Sequence, residues 1–319
     1  MDETLQLTET TPTITTRLSP STEPAPTMVA SMGDWQIVGK IGGGAYGKVY
    51  KAVHCRRSSV AAAVKVQSRS GKVDPRRMVQ ECQLMWALQG RCYVPKLYAS
   101  GQHPASQLYF IVMQLLSKSI IELRHRTLHN RLSAGSSYRL ARQTLNALQD
   151  LHQYGYLHRD IKPSNMAMGL KSENRHQLYV IDYGMVRQFK RANGQLRSAR
   201  ERVGFRGTLR YVSLRVHQRL DYCPADDLWS LYYTTLECVK GTLPWRSTTK
   251  QLRVMSLKSE LNLERFCKGL APQLFQFGQH LNTLQFGDEP DYQLLDRLLE
   301  EALATVNAQW DDPYDWETQ

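Results

Sequence analysis

The 319-residue sequence lacks three features that would place it outside the cytoplasm. Its six cysteines are scattered and form no Cys-x-x-Cys pair, which argues against structural zinc or a disulfide framework and favours a reducing compartment. Its longest apolar stretch, residues 108–113 continuing into Leu115 and Leu116, is far shorter than the ~20 residues of a membrane helix. Residues 1–30 lack the basic start and apolar core of a secretory signal. We therefore expect a cytoplasmic protein, with the nucleus as an additional candidate, and no membrane partner.

Nucleic-acid-binding signatures are also missing. The chain has 41 basic and 29 acidic side chains and a net charge of +12, an excess that is compatible with nucleic-acid binding or with a solvated surface. There is no recognition-helix motif, zinc-finger spacing or aromatic RNA-binding pattern. We therefore expect no nucleic-acid partner.

Composition divides the chain into a polar tail, a β-rich part and a helical part. Residues 1–33 are rich in Thr, Ser, Pro and Glu, which predicts a disordered tail because too little apolar surface can be buried to offset ordering. One helix is predicted at residues 78–88. Strands are predicted at residues 35–38, 49–53, 60–66 and 108–113. Long helices are predicted at residues 138–152, 226–239, 274–284 and 292–306. A chain of this length favours two lobes over one core.

The most informative motif is the octapeptide at residues 158–165, His-Arg-Asp-Ile-Lys-Pro-Ser-Asn, which we call the catalytic loop. It supplies a carboxylate (Asp160), an ammonium group (Lys162) and an amide oxygen (Asn165), and Asp182 adds a second carboxylate. This set can orient an attacking hydroxyl, neutralise a moving phosphoryl group and hold Mg²⁺, which prefers hard oxygen ligands. A polar surface loop is the alternative interpretation, and the length of the ordered match argues against it.

A glycine-rich loop and a lysine precede that motif. Residues 42–49, Gly-Gly-Gly-Ala-Tyr-Gly-Lys-Val, fit the pattern G-x-G-x-x-G-x-V, which lets backbone N–H groups approach phosphates. Alone, the pattern fits a glycine-rich hairpin turn equally well. Lys65 lies in an apolar strand, and Glu81 is the only acidic residue of the helix at 78–88. We predict a Lys65–Glu81 ion pair that positions the lysine on nucleotide phosphates.

Together these motifs resemble those of eukaryotic protein kinases over roughly residues 34–317. The resemblance implies an α+β, bilobal protein-kinase-like fold over residues 34–319, after the tail at 1–33. A small β-rich N-lobe with one main helix would span residues 34–113, a hinge 114–118 and a larger helical C-lobe 119–319.

The resemblance also implies ATP and Mg²⁺ as cofactors and assigns roles to individual residues. Asp160 and Lys162 would be catalytic, and Asn165 and Asp182 would be metal ligands. Met113 would guard the adenine pocket, with the hinge beside it. The nucleotide-binding positions would be Ile41, Gly42, Gly43, Gly44, Ala45, Gly47, Val49, Ala63, Lys65, Glu81, Met113, Gln114 and Leu116.

Two further implications concern the surroundings of the catalytic loop. Asp227 resembles the buried aspartate that holds this loop's backbone, although it also suits a helix N-terminus. Tyr183 replaces the more usual phenylalanine after the metal-binding aspartate, and its ring should pack beside His158.

One departure from the usual protein kinase motifs makes the chain similar to the casein kinase 1 group, and within it to the tau-tubulin kinase branch. No Ala-Pro-Glu motif is present, and residues 207–217 read Gly-Thr-Leu-Arg-Tyr-Val-Ser-Leu-Arg-Val-His in its place. Supporting matches lie at residues 162–165, 204–208, 226–231, 243–246, 290–295 and 312–316.

The activation segment, between Gly184 and Gly207, predicts the substrate class. Its one acid is Glu201, against seven bases: Arg187, Lys190, Arg191, Arg197, Arg200, Arg202 and Arg206. We expect it to attract Ser or Thr substrates with acidic or phosphorylated segments, cytoskeletal proteins among the candidates. A solvated loop is the alternative. Arg210 resembles a residue of the group's anion pocket, with Lys250 or Arg253 as its candidate partner.

Regulation follows from the same segment. Ser198 is its only hydroxyl-bearing residue before Thr208, so activation by loop phosphorylation is not expected. Arg159 should instead pair with a bound anion or a backbone carbonyl. We expect a monomeric, constitutively active serine/threonine kinase. The alternatives are a catalytically inactive kinase-fold scaffold and a small-molecule phosphotransferase, which would lack the segments at 207–208 and 227–230.

Overall fold

The computed structural model describes residues 31–44, 47–67, 74 and 76–317. They form two lobes joined by an extended segment at residues 115–118. Most of the predicted tail lies outside the described residues, but Ser31 and Met32, near its end, already pair with the first long strand. No helix in the described ranges is both long enough and apolar enough to cross a lipid bilayer.

The N-lobe is an antiparallel sheet with one helix, α1 (Arg76–Ala87). The sheet order is β1-β2-β3-β4-β6-β5. Its strands are β1 (Ser31–Met32), β2 (Trp35–Gly44), β3 (Gly47–His54), β4 (Arg57–Gln67), β5 (Leu97–Gln102) and β6 (Tyr109–Gln114). Side chains alternate along β4, so Val64 joins the apolar cluster with Trp35 while Lys65 points to the opposite face, toward α1.

The C-lobe is built from helices and two short two-stranded antiparallel sheets. One sheet pairs β7 (Tyr156–Leu157) with β10 (Arg187–Gln188), and the other pairs β8 (Met166–Met168) with β9 (Leu178–Val180). The helices are α2 (Ile120–Arg124), α3 (Ala134–Gln153), α4 (Leu214–His217), α5 (Pro224–Lys240), α6 (Gln251–Ser259), α7 (Leu263–Cys267), α8 (Pro272–Thr283) and α9 (Tyr292–Thr305).

Local sequence sets the ends of the two central helices. Ser133 accepts a hydrogen bond from the backbone N–H of Ser136 and so caps α3. Pro224 begins α5, and Gly241, at φ 81°, follows its end in the left-handed region that favours glycine. Both helices, with α8 and α9, surround the main core, in which Leu145, Leu228 and Leu295 are fully buried.

The predicted α+β bilobal architecture is confirmed. The helix at 78–88, the four long C-lobe helices and the four predicted strands are all present, with ends shifted by a few residues. Strands β1, β5 and β7 to β10 and helices α2, α4, α6 and α7 were not predicted, because most of them are too short to show a periodic pattern.

Candidate active site

Lys65 joins the two lobes. Its Nζ lies 2.7 Å from both carboxylate oxygens of Glu81 on α1 and 2.8 Å from Oδ1 of Asp182 in the C-lobe. The predicted Lys65–Glu81 pair is therefore present, and Asp182 is a second partner. Burial alone would lower the pKa of the Lys65 ammonium, but the two carboxylates raise it above its ordinary value, so the lysine is charged at neutral pH.

The glycine-rich loop lies close to the strand that carries Lys65. Gly44 pairs with Gly47 across the β2–β3 hairpin. A Cβ atom on Gly47 would lie 2.4 Å from the carbonyl oxygen of Val66, so no other residue fits this close approach of β3 to β4. Ile41, beside Gly42 and Gly43 on β2, is 52 % exposed at the edge of the loop. Ala45 lies outside the described residues.

Strand register aligns the other candidate nucleotide contacts with Lys65. Val49 on β3 pairs with Lys65, and Ala63, two residues before Lys65 on β4, pairs with Met113 on β6. Directly opposed residues share a face of the sheet. Val49, Ala63 and Met113 therefore line the same face as the lysine ammonium.

The hinge offers backbone groups beside this face. Gln114 still belongs to β6, and its N–H donates to the carbonyl of Lys96 at 2.7 Å. Its side-chain Oε1 accepts from the N–H of Lys96 at 3.1 Å, which fixes the start of the hinge. The N–H and C=O of Leu116 have no hydrogen-bond partner within the described part of the chain. These two groups are available to a planar heterocycle.

Asp160 is buried and its carboxylate is held by three side chains. Oδ1 accepts from the hydroxyl of Thr208 at 2.7 Å, and Oδ2 accepts from Lys162 Nζ at 2.7 Å. Asn165 Nδ2 donates to the Asp160 carbonyl at 2.9 Å and to Oδ2 at 3.2 Å. Lys162 Nζ also lies 3.0 Å from the Thr208 hydroxyl oxygen. Carboxylate, ammonium and amide therefore meet at one point, as the motif predicted.

Asp227 at the start of α5 anchors the backbone of the catalytic loop. Its Oδ2 accepts from the N–H of His158 and its Oδ1 from the N–H of Arg159, each at 2.7 Å. His152 Nε2 lies 3.0 Å from Oδ2, and Tyr292 contacts the other ring nitrogen. Burial alone would raise the pKa of Asp227, but His152 and the backbone donors hold it below its ordinary value. His152 and Tyr292 were not predicted, because nothing in their local sequence indicates this contact.

Backbone geometry places the candidate metal ligand Asp182 and the arginine of the catalytic loop. Asp182 adopts a left-handed conformation at φ 67°. The ring of Tyr183 lies 5.4 Å from that of His158, as expected. Arg159 donates to the carbonyls of Met185 at 2.6 Å and Val186 at 3.3 Å, which agrees with the predicted backbone partner.

The remaining acceptors suit a hard divalent cation. Lys65 uses Oδ1 of Asp182, while Oδ2 has no protein donor among the described residues. Asn165 turns its NH₂ group toward Asp160, which leaves its amide oxygen without a protein donor in the same ranges. Burial would raise the pKa of Asp182, but Lys65 holds it below its ordinary value and keeps the carboxylate ionised. A carboxylate and an amide oxygen are the ligands that Mg²⁺ prefers, so the site fits this ion.

Gly207 closes the C-lobe side of the site. It has φ +88°, and a Cβ there would lie 2.5 Å from the carbonyl oxygen of Arg159. A residue with a side chain would push the neighbouring Thr208 away from Asp160. The glycine at the start of the Gly-Thr pair is thus required by close packing against the catalytic loop.

Comparison with known proteins agrees with this geometry. Residues 35–302 match the protein kinase domain family. A probable serine/threonine-protein kinase of Dictyostelium discoideum is 38% identical over 289 residues, covering 90% of this chain and 57% of that protein. A putative casein kinase I of Caenorhabditis elegans is 38% identical over 294 residues, covering 90% of this chain and 84% of that protein.

A probable casein kinase I homolog of Encephalitozoon cuniculi is 31% identical over 276 residues, covering 84% of each chain. The chain thus spans little more than half of the Dictyostelium relative but most of the other two. The family match takes in both lobes and every charged candidate residue of the cleft. The chain therefore belongs to the protein kinase family.

Proposed function

We propose that the chain is an active serine/threonine protein kinase of the casein kinase 1 group. It transfers the γ-phosphoryl group of ATP to Ser or Thr in acidic or phosphate-bearing protein segments. The observation that carries the proposal is the position of Lys65 Nζ, 2.7 Å from Glu81 and 2.8 Å from Asp182. This contact brings both lobes into the arrangement that grips nucleotide phosphates. The names of the relatives from Caenorhabditis elegans and Encephalitozoon cuniculi support the group.

Each charged residue has a task in that reaction. Lys65 would hold the α- and β-phosphates, and Asn165 and Asp182 would hold Mg²⁺, which supplies positive charge beside the transferred group. Leu116 would bond adenine through its free backbone groups. Asp160 already accepts a threonine hydroxyl at 2.7 Å, so its Oδ1 can accept the proton of a substrate hydroxyl in the same way.

Lys162 lies beside the reacting group. Its ammonium is 2.7 Å from Asp160 and can neutralise the negative charge that the moving phosphoryl group carries. As the substrate oxygen forms its bond to phosphorus, the bond to the ADP oxygen breaks and the hydroxyl proton passes to Asp160. Little proton transfer is needed early, because the transition state of such reactions is loose.

The activation segment supports an acidic substrate. Fewer of its seven basic side chains are free than the sequence suggested. Arg187 and Arg200 both pair with Asp221, so they are not free for a substrate. Four of the others are exposed: Arg191, Arg197, Arg202 and Arg206. Their excess over the single acid of the segment favours negatively charged peptides.

A cluster of arginines at the end of this segment supports the same preference. Arg210 contacts Oε1 of buried Glu237 at 3.4 Å, and Arg246 contacts the same oxygen at 3.3 Å. Arg124 lies 3.3 Å from the other oxygen, so three guanidinium groups surround one carboxylate. Arg246 shares the carboxylate with Arg210, whereas the sequence suggested Lys250 or Arg253 as the partner. The excess positive charge suits a phosphate or an acidic side chain.

Peptide profiling tests the proposal. Purified wild type and Asp160→Asn, which keeps the shape of the side chain, are compared on acidic, phosphate-bearing and Arg-rich peptide libraries with radiolabelled ATP. We expect transfer by the wild type alone, with acidic or phosphate-bearing peptides preferred. Equal rates on acidic and Arg-rich peptides would refute the substrate class. Mg·ATP-induced thermal stabilisation without any transfer would favour the inactive scaffold.

The remaining parts of the proposal concern identity and setting. The resemblance to the tau-tubulin kinase branch suggests cytoskeletal substrates, and the absence of cysteine pairs suggests the cytoplasm. We also propose a monomer, which size-exclusion chromatography with light scattering tests directly.

A further inference from the structure

Asp221 is a buried carboxylate at the base of α5 that no sequence motif identified. Its side chain is 3% exposed, and both oxygens are fully engaged. Arg200 donates from Nη2 to Oδ1 at 2.9 Å, and from Nε and its backbone N–H to Oδ2 at 3.2 and 3.1 Å. Arg187 donates to Oδ2 at 3.3 Å, and the N–H of Tyr222 to Oδ1 at 2.9 Å.

The two arginines lie 13 residues apart within the activation segment. Arg187 belongs to β10, which follows the metal-binding triplet and pairs with β7 just before the catalytic loop. Arg200 lies further along, in the part that leads to Gly207 and Thr208. Asp221 therefore ties both limbs of the segment to the body of the C-lobe, six residues before Asp227 anchors the catalytic loop.

The positive charge of three arginines explains why an anion is needed beside the activation segment. Arg159 lies close enough to Arg187 and Arg200 for their positive charges to affect its pKa. Burial lowers the pKa of Arg159 to about 10, and the neighbouring cations contribute to the lowering. Burial would raise the pKa of Asp221, but the hydrogen bonds from Arg200 keep it below its ordinary value, so the carboxylate is charged at neutral pH. An activation segment usually receives such a negative charge from a phosphorylated residue.

We propose that Asp221 is a positioning residue that holds the activation segment in its active arrangement, in place of a phosphoryl group on the segment. The proposal rests on the proposed kinase function and explains how that function proceeds without loop phosphorylation. The segment offers only Ser198 before Thr208 as a phosphate acceptor, and Ser198 is exposed and makes no contact with Arg159 in the described residues.

The test compares three variants that disturb this contact with a matched control. Asp221→Asn removes the negative charge and Asp221→Glu keeps it. Arg200→Gln removes the positive partner, which is the more exposed of the two side chains. The control is Asp296→Asn, which removes a bidentate contact with Arg142, at 2.7 and 2.9 Å, between α3 and α9. kcat and KM for an acidic peptide are measured separately, after phosphatase treatment and with mass spectrometry of residue 198.

We expect phosphatase-treated wild type and Asp296→Asn to keep full activity. Asp221→Asn and Arg200→Gln should lose about tenfold in kcat, since one charge-assisted contact is worth about that factor. Asp221→Glu should recover most of it. A change confined to KM would indicate lost attraction for the peptide and would overturn the positioning role.

Three other results are also decisive. If Asp221→Asn and Arg200→Gln match the control, the proposal is wrong. If phosphatase inactivates the wild type, a phosphate on Ser198 is the required anion and the proposal is again wrong. If Asp221→Asn fails to fold while Arg200→Gln keeps full kcat, Asp221 serves folding alone. Inactivity of the wild type under all conditions would instead refute the proposed kinase function.

Discussion

Replacement of Lys65 by methionine tests the contact that joins the two lobes. The substitution keeps the unbranched side chain and removes the ammonium that lies 2.7 Å from Glu81 and 2.8 Å from Asp182. At an effective dielectric constant of about 20, each contact is worth about 6 kcal/mol of Coulomb energy, most of which offsets the cost of dehydrating the charges. Removing one partner of a buried pair costs about 3–5 kcal/mol, because the remaining charge is left uncompensated. We expect the free energy of unfolding to fall by that amount at pH 8.

The decrease in the free energy of unfolding caused by Lys65→Met should be smaller at lower pH. Burial already raises the pKa of Glu81 despite the attraction of Lys65. Without the lysine, the pKa values of Glu81 and Asp182 in the folded variant should rise well above those of the unfolded chain. A carboxyl group with a raised folded pKa stabilises the fold when protonated, and this contribution is lost as pH rises through the folded pKa. The variant should therefore approach wild-type stability between pH 8 and pH 5.

Urea unfolding of both proteins at pH 5 and pH 8 measures this difference. In the wild type the raised pKa of Lys65 lies above this window and the lowered pKa of Asp182 lies below it, so Glu81, whose pKa is also raised, is the one member of this triad that can change wild-type stability across it. Lys65→Arg serves as the control, since it keeps the charge with a different shape. An equal loss of stability at both pH values would refute the reasoning, because the effect would then come from packing. The methionine variant should also lose phosphoryl transfer.

Three further predictions concern the same cleft and the cysteines. Asp182→Asn should lower kcat by about 10²–10³-fold, as expected for the loss of one preorganised charged group, and radiolabel transfer measures it; unchanged kcat would exclude this carboxylate as a metal ligand. Asp227→Ala should lower the free energy of unfolding by about 3 kcal/mol, because the N–H groups of His158 and Arg159 lose their acceptor; denaturant titration measures it, and a neutral result would contradict the anchoring role. All six cysteines are free thiols, so dithiothreitol should leave the melting temperature unchanged, and a downward shift would reveal a disulfide.

The charged residues of the site could be predicted because their motifs have fixed spacing in the sequence. Lys65 and Glu81 could be paired by elimination, since only one acid lies on the helix at 78–88. The structure adds Asp182 as a second partner of the lysine. That contact depends on the left-handed backbone at Asp182, and no composition pattern indicates such a conformation for aspartate.

The supporting residues could not be predicted, because each acts over a long sequence separation. Tyr292 contacts His152 from 140 residues away, and Asp221 contacts Arg187 from 34 residues away. Single acids and tyrosines are frequent on protein surfaces, so nothing distinguishes these from their neighbours before the fold brings them together. The sequence analysis counted Arg187 and Arg200 as free bases because their partner, Asp221, lies outside the activation segment.

The hydrogen-bond donors around three aspartates differ, and these differences agree with the separate roles that the sequence motifs suggest for them. Asp227 accepts only hydrogen bonds from His152 and two backbone N–H groups, so it fixes geometry and has no oxygen left for a substrate. Asp160 is buried and held by Thr208 and Lys162, so its oxygens already point at a hydroxyl and an ammonium group.

Asp182 differs from both. Its side chain is 32% exposed, against 3% for Asp160, and one of its oxygens has no protein donor among the described residues. The most open carboxylate with a free oxygen is the one that can bind a hydrated cation, since Mg²⁺ retains several waters when bound. The roles proposed for Asp160 and Asp182, beside the anchor Asp227, therefore follow from the number and charge of the donors that the fold brings to each carboxylate.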